Sequence, residues 1–306
     1  MLVACIQYEN RLVIHDLKTN EQVENEEYAF RCCDTSAHRI VVVTGCGKVF
    51  ETSHIQHQLE EIPCPDIHAS CAAFGYEFQG VLAIGFLDGS IVIRDIIGYN
   101  RDAHFRVHEE EITNMRFAPD GRLLVASYDK TASVVQFDKE NRLSSCIKLI
   151  GHTDCVIDML YNPLSGNCIS SSDDMTMRVW DPDNGTCIRT VTQHTPTGPL
   201  ALHPSGRFFA SAGENLTVII WSCISLEALR FIKFPAPIEK LVFYKHDELY
   251  VGVDEHGVVP CNPSTGEVGE FIISSYEVIT GLAIGMLCFY IRARFTLILP
   301  IDVCSA

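Results

Sequence analysis

Four histidines in this chain stand at nearly the same distance from a turn residue, and few folds can use such a pattern. His68 is followed by Asp88 after 20 residues, His108 by Asp129 after 21, His152 by Asp174 after 22, and His194 by Asn215 after 21. Six residues past each turn residue come Arg94, Val135, Trp180 and Trp221. A period of about 40 residues marks a supersecondary unit that buries its apolar face only against its neighbours. In the best-kept copy His152 is placed to bond Asp174, with Ser170 and the Trp180 indole N–H extending the chain. A buried polar brace of this kind is stable only when each member has a partner.

That copy opens with Gly151-His152 and closes with Arg178-Val179-Trp180-Asp181. Glycine-histidine at one end and tryptophan-aspartate at the other resemble the WD40 repeat. The resemblance implies an all-β propeller of four-stranded antiparallel blades, formed as a single domain over residues 1–306. Clear repeats span 68–231, and Leu87-Asp88-Gly89 and Ala118-Pro119-Asp120-Gly121 supply hairpin turns. Residues 1–64 and 236–270 read as degenerate repeats, and 276–303 as closing strands. Val278 to Ile284 is positioned to complete a first blade that lacks its innermost strand. Seven blades are expected, with eight as the alternative because Met286 to Leu299 is then surplus.

Composition narrows the function. A net charge of −16 opposes a phosphate backbone or an anionic membrane, so nucleic-acid and membrane partners are disfavoured. The apolar run from Val278 to Ile291 falls short of the roughly 20 residues a spanning helix needs. Fourteen cysteines without an apparent leader sequence suit a reducing, intracellular setting, cytoplasmic or nuclear. His54 and His57 lack a second pair of ligands, so no metal site is expected.

No phosphate loop or nucleophile elbow occurs, and no cofactor or small-molecule substrate is implied. The chain is expected not to be an enzyme: the recurring His and Asp have a structural task. Resemblance to the family implies a rigid platform for protein partners, contacting them through the narrow top face. Carried over residue by residue, that face takes Glu111, Cys155 and Thr197 (third after the brace His), and Thr113 and Ile157 (fifth). It also takes Leu87, Tyr128, Asp173 and Glu214, which precede the turn residue. Acids beside apolar groups suit a basic or amphipathic protein segment. Receptors of cullin-type ubiquitin ligases often carry an arginine two residues after the Trp-Asp aspartate. Here Asp183 stands there, a departure from that subfamily. A propeller that binds nucleic acid or phosphoinositide, or one propeller of a longer tandem protein, is the alternative.

Overall fold

The computed structural model describes residues 2–6, 11–15, 22–25, 30–35, 39–44, 46–53, 60–75, 80–95, 102–138, 140–195, 197–244, 248–274 and 279–284. They form seven four-stranded antiparallel sheets. Six sheets each use four consecutive strands, over 30–62, 69–106, 112–150, 156–191, 197–233 and 238–274. The seventh joins three strands near the start of the chain to Ile279–Ile284, with Leu2 opposite Ile284 and Cys5 opposite Gly281. The innermost strands, Phe30–Thr35, Ala69–Phe74, Ile112–Phe117, Val156–Tyr161, Thr197–Leu202, Ile238–Tyr244 and Ile279–Ile284, touch one another in that order. The last of them meets the first, so the sheets close into a ring. No eighth sheet occurs among the described residues. Met286 to Leu299, His54 and His57 lie outside them.

The core lies between sheets. Arg39–Thr44 is buried from Ile40 to Thr44 and Leu123–Ser127 throughout, because a strand inside the ring is covered on both faces. Such strands read as unbroken apolar runs. Separate apolar clusters fill the successive seams: Val49 with Leu82 and Ile84, Ile91 with Phe117, Leu124 with Trp180, Leu160 with Trp221, and Ala210 with Val251. The outermost strands carry the solvent face, as in Cys187–Val191, where only Val191 is buried.

Two local features set the upper rim, where the chain enters each sheet. The first is the hairpin turn between the second and third strands. At Leu87-Asp88-Gly89 the glycine has φ 81°, and a Cβ there would lie 2.2 Å from the His108 carbonyl oxygen. Only glycine meets both conditions. The second is a register shift near the start of the innermost strand, repeated in all seven sheets: between Phe30 and Cys32, Ala69 and Cys71, Ile112 and Asn114, Val156 and Asp158, Thr197 and Leu200, Ile238 and Lys240, and Ile279 and Gly281. A bulge re-aims one side chain. The re-aimed positions in the first six are Arg31, Ser70, Thr113, Ile157, Gly198-Pro199 and Glu239.

Candidate functional site

The brace is complete in the fifth stretch of sheet, over 156–191. Trp180 Nε1 donates to Ser170 Oγ (2.8 Å), Ser170 Oγ to His152 Nε2 (2.7 Å), and His152 Nδ1 to Asp174 Oδ2 (2.8 Å). The directions are forced: an indole N–H only donates and a carboxylate only accepts, so His152 carries its proton on Nδ1. Asp174 also accepts from the Thr153 and Thr176 amides. In the preceding sheet Val135 replaces the tryptophan, and His108 adapts. Its Nδ1 lies 2.8 Å from Asp129 Oδ2, while Ser133 Oγ donates to Nε2 (2.9 Å).

The other two expected braces do not form. His68 is exposed, and Asp88 instead accepts from the amide and hydroxyl of Ser90. Arg94, in the tryptophan position, turns outward to Asp102 and the Pro63 carbonyl, leaving no buried indole for that histidine to cover. His194 is also exposed and packs its ring against Phe231 at 4.7 Å. Asn215 has a left-handed backbone (φ 58°), unlike the three turn aspartates, and this redirects its side chain. Trp221 still donates to Ser211 Oγ at 2.9 Å.

Both intact braces make the ring sensitive to acid. Burial holds the His152 and His108 pKa below the usual imidazole value. Hydrogen bonds from Thr176 and His152 overcome burial and hold Asp174 at about 2. A histidine whose folded pKa lies below its unfolded value loses stability as pH falls below about 6.5. The depressed aspartate contribution is present above its unfolded pKa and is lost as pH falls from about 4 toward 2. The melting temperature is therefore expected to fall on acidification from neutrality and to fall again below about pH 4. A melting temperature flat from pH 7 to 3 would contradict this.

The rim itself is stitched by the bulge residues. Ser70 Oγ donates to the Ile112 carbonyl and Thr113 Oγ1 to the Val156 carbonyl, both at 2.7 Å, each linking one innermost strand to the next. Arg31 reaches across the small residues of Ala69–Phe74 to form an ion pair with Glu111. Below the rim, Asp158 is 3% exposed and joins three innermost strands. It accepts from Asn114 Nδ2 (2.8 Å), Arg116 (3.2 Å) and the Leu200 amide (2.9 Å). Asp34 accepts similarly from the Phe74 amide at 2.7 Å.

Several of the sequence-derived positions come together here. Tyr128 is 41% exposed and lies within electrostatic reach of Glu111, Cys155, Asp173 and Arg31. Asp173 and Glu214 are exposed, Leu87 is 39% exposed, and Cys155, Ile157, Glu111 and Thr113 are half-buried. Glu111 and Thr113 already have internal partners. Thr197 lies on its strand with its side chain outside the described residues. Burial pushes the Asp173 carboxyl up, and Asp154 and Asp174 push it further. Glu239 is raised in the same way by burial and by Asp254. Sequence spacing places Asp254 as a turn residue, six before Pro260, but misses Glu239 and its pairing with Asp254 because the repeat over 236–270 lacks its histidine. The signal that finds Glu239 is the strand start: Ile238-Glu239 aligns with Ile112-Thr113 and Val156-Ile157. Among the described residues, no cluster of three or more His, Cys, Asp or Glu is placed to hold a metal. No helix among the described residues is long and apolar enough to cross a membrane.

A closed ring of four-stranded antiparallel sheets, with innermost strands stitched at one rim, is a β-propeller. The family model "WD domain, G-beta repeat" matches residues 100–135, 144–181 and 185–222. Relatives include the nuclear distribution protein PAC1 of Arthroderma otae, 29% identical over 150 residues (46% of this chain, 31% of that protein). Another is eukaryotic translation initiation factor 3 subunit I of Caenorhabditis briggsae, 27% identical over 118 residues (38% of this chain, 35% of that protein). This chain thus spans about a third of the length of the curated relatives it matches. A chain in a crystal structure of the mitotic checkpoint complex superposes with a TM-score of 0.73 at 15% identity, covering 85% of this chain and 83% of that one. The chain thus carries repeats that match the WD40 model within a β-propeller fold.

Proposed function

We propose that this chain is a seven-bladed, non-catalytic scaffold that assembles a multiprotein complex inside the cell, taking a basic or amphipathic segment of a partner on its upper rim. The observation that carries the reading is the grouping of exposed Tyr128 with Asp173, which Asp154 crowds in turn, and with the exposed side chain of Met175 in the same turn as Asp173. An uncommitted carboxylate crowded by like charge gains most from a cationic partner, and the apolar neighbours supply the area. Glu239 and Asp254 repeat the crowding on the sheet over 238–274. The kinship with initiation-factor and checkpoint-complex propellers, each named for an assembly, agrees with a role in one.

The test is affinity capture from a matched extract with the wild-type chain and a Tyr128→Ala/Asp173→Ala/Glu214→Ala variant of unchanged melting temperature. Partners lost with the variant would support the rim as the site; an unchanged set would overturn it. Capture is expected to weaken on acidification, because the raised carboxyls of Asp173 and Glu239 lose their charge before ordinary ones do. The second reading, binding of nucleic acid or phosphoinositide, faces a net charge of −16. A salt-sensitive shift with RNA or anionic liposomes would favour it.

A further inference from the structure

A groove of about 490 Å³ opens on the outer shoulder of the upper rim, beside the sheet over 112–150. It is bounded by the entry loop (Arg106, Glu109, Glu110), the hairpin turn (Tyr128, Lys130) and the outermost strand (Lys148, Ile150). It lies apart from the residues that carry the basic-segment reading, except that Tyr128 borders both. The sheet that bears it has no tryptophan. Ser133 and Val135 stand four and six residues past the turn aspartate, where the next sheet has Arg178 packed over the Trp180 ring at 6.0 Å.

The groove is lined by three cations, Arg106, Lys130 and Lys148, and three carboxylates, Glu109, Glu110 and Asp129, so what it offers a ligand depends on which of them are already engaged. Asp129 is a saturated acceptor: His108 Nδ1, the Glu109 amide, and the amide and hydroxyl of Thr131 all donate to it. Glu109 is engaged by Arg106 at 3.3 Å. Lys148 Nζ lies 3.0 Å from His108 Nδ1 and 3.7 Å from the filled Asp129 carboxylate, and its side chain is 35% exposed. Lys130 is exposed at the lip. Donors therefore outnumber available acceptors, Glu110 being the one lining carboxylate with no partner drawn to it. Alongside the donors stand Ile150, 72% exposed, and Tyr128. An ammonium-rich edge next to an isoleucine and a phenol matches a carboxylate adjacent to an aliphatic or aromatic side chain.

We propose that this groove binds an extended segment of a protein partner in which an aspartate or glutamate adjoins a large apolar residue. The carboxylate sits between Lys130 and Lys148, and the apolar side chain lies on Ile150 and Tyr128. One propeller then grips partners of opposite charge at two neighbouring stations.

The probe is a display library of short random peptides, panned on the wild-type chain with Lys130→Glu/Ile150→Ser as the counter-target. Both substitutions fall at exposed positions outside the brace, and matching melting curves establish that the variant folds. Peptides kept by the wild type and rejected by the variant are expected to carry an acid next to Leu, Ile, Phe or Met. Labelled copies should bind the variant about tenfold more weakly, a loss of about 1.4 kcal/mol, and should lose affinity when the acid becomes an amide. Variant-sensitive peptides that are basic, or the absence of any variant-sensitive peptide, would overturn the proposal. A concentration-dependent dimer dissolved by Ile150→Ser would overturn it too, making a second copy the occupant.

Discussion

Asp158→Ala is expected to lower the melting temperature by about 6–12 °C. The carboxylate is nearly inaccessible and serves Asn114, Arg116, the Met159 amide and the Leu200 amide at once. Removing it orphans a buried amide on one neighbouring strand and a side-chain amide on the other. Breaking a buried charge pair by deleting one partner costs about 3–5 kcal/mol. The lower end applies because the Arg116 side chain is 37% exposed and finds water. At about 2–4 °C per kcal/mol for a chain of this size, the shift follows. Asp158→Asn should fall nearly as far, since its NH2 group would face either the donors of Asn114 and Met159 or those of Arg116 and Leu200. Differential scanning fluorimetry at a fixed scan rate decides the matter. A loss under about 2 °C for both variants would mean that the three innermost strands are held by packing alone.

Ser170→Ala should cost about 2–4 kcal/mol, and more than Ser133→Ala. Ser170 is fully buried, accepts from the indole of Trp180 and donates to His152. Its loss strands two buried polar groups at about 1–3 kcal/mol each. Ser133 donates only to His108 Nε2, because Val135 offers no indole, so its loss strands one. Denaturant midpoints of the two variants, compared at equal slope, measure the difference. Equal losses would show that the Trp180–Ser170 bond contributes nothing net.

These two residues also mark what could be read from the sequence. Ser170 was legible, because repeat spacing places a residue in a known frame and the frame supplies its partners. The His152 and His108 braces were legible for the same reason. His68 and His194 kept the spacing while their surroundings changed: one lost its tryptophan to Arg94, the other lost its turn geometry to a left-handed Asn215. Spacing records position in the chain, whereas a hydrogen bond also needs the direction of the side chain. Asp158 was invisible on these terms. Its partners come from Ile112–Phe117 and Thr197–Leu202, 42 to 44 residues away, and its orientation depends on a one-residue bulge with no composition of its own.

The pairing of Leu2–Ile6 with Ile279–Ile284 sets the order in which this protein can become whole. At roughly 5–20 residues per second of synthesis, the earliest strands wait on the order of tens of seconds for the partner that covers their inner edge. Through that interval the nascent chain is an open arc of sheets with one bare hydrogen-bonding edge, a template for strand addition by a neighbouring chain. Completion then comes as a late, long-range event. A slowed ribosome or a weakened Ile279–Ile284 strand would therefore show up in aggregation yield well before it showed up in the melting temperature of the molecules that succeed.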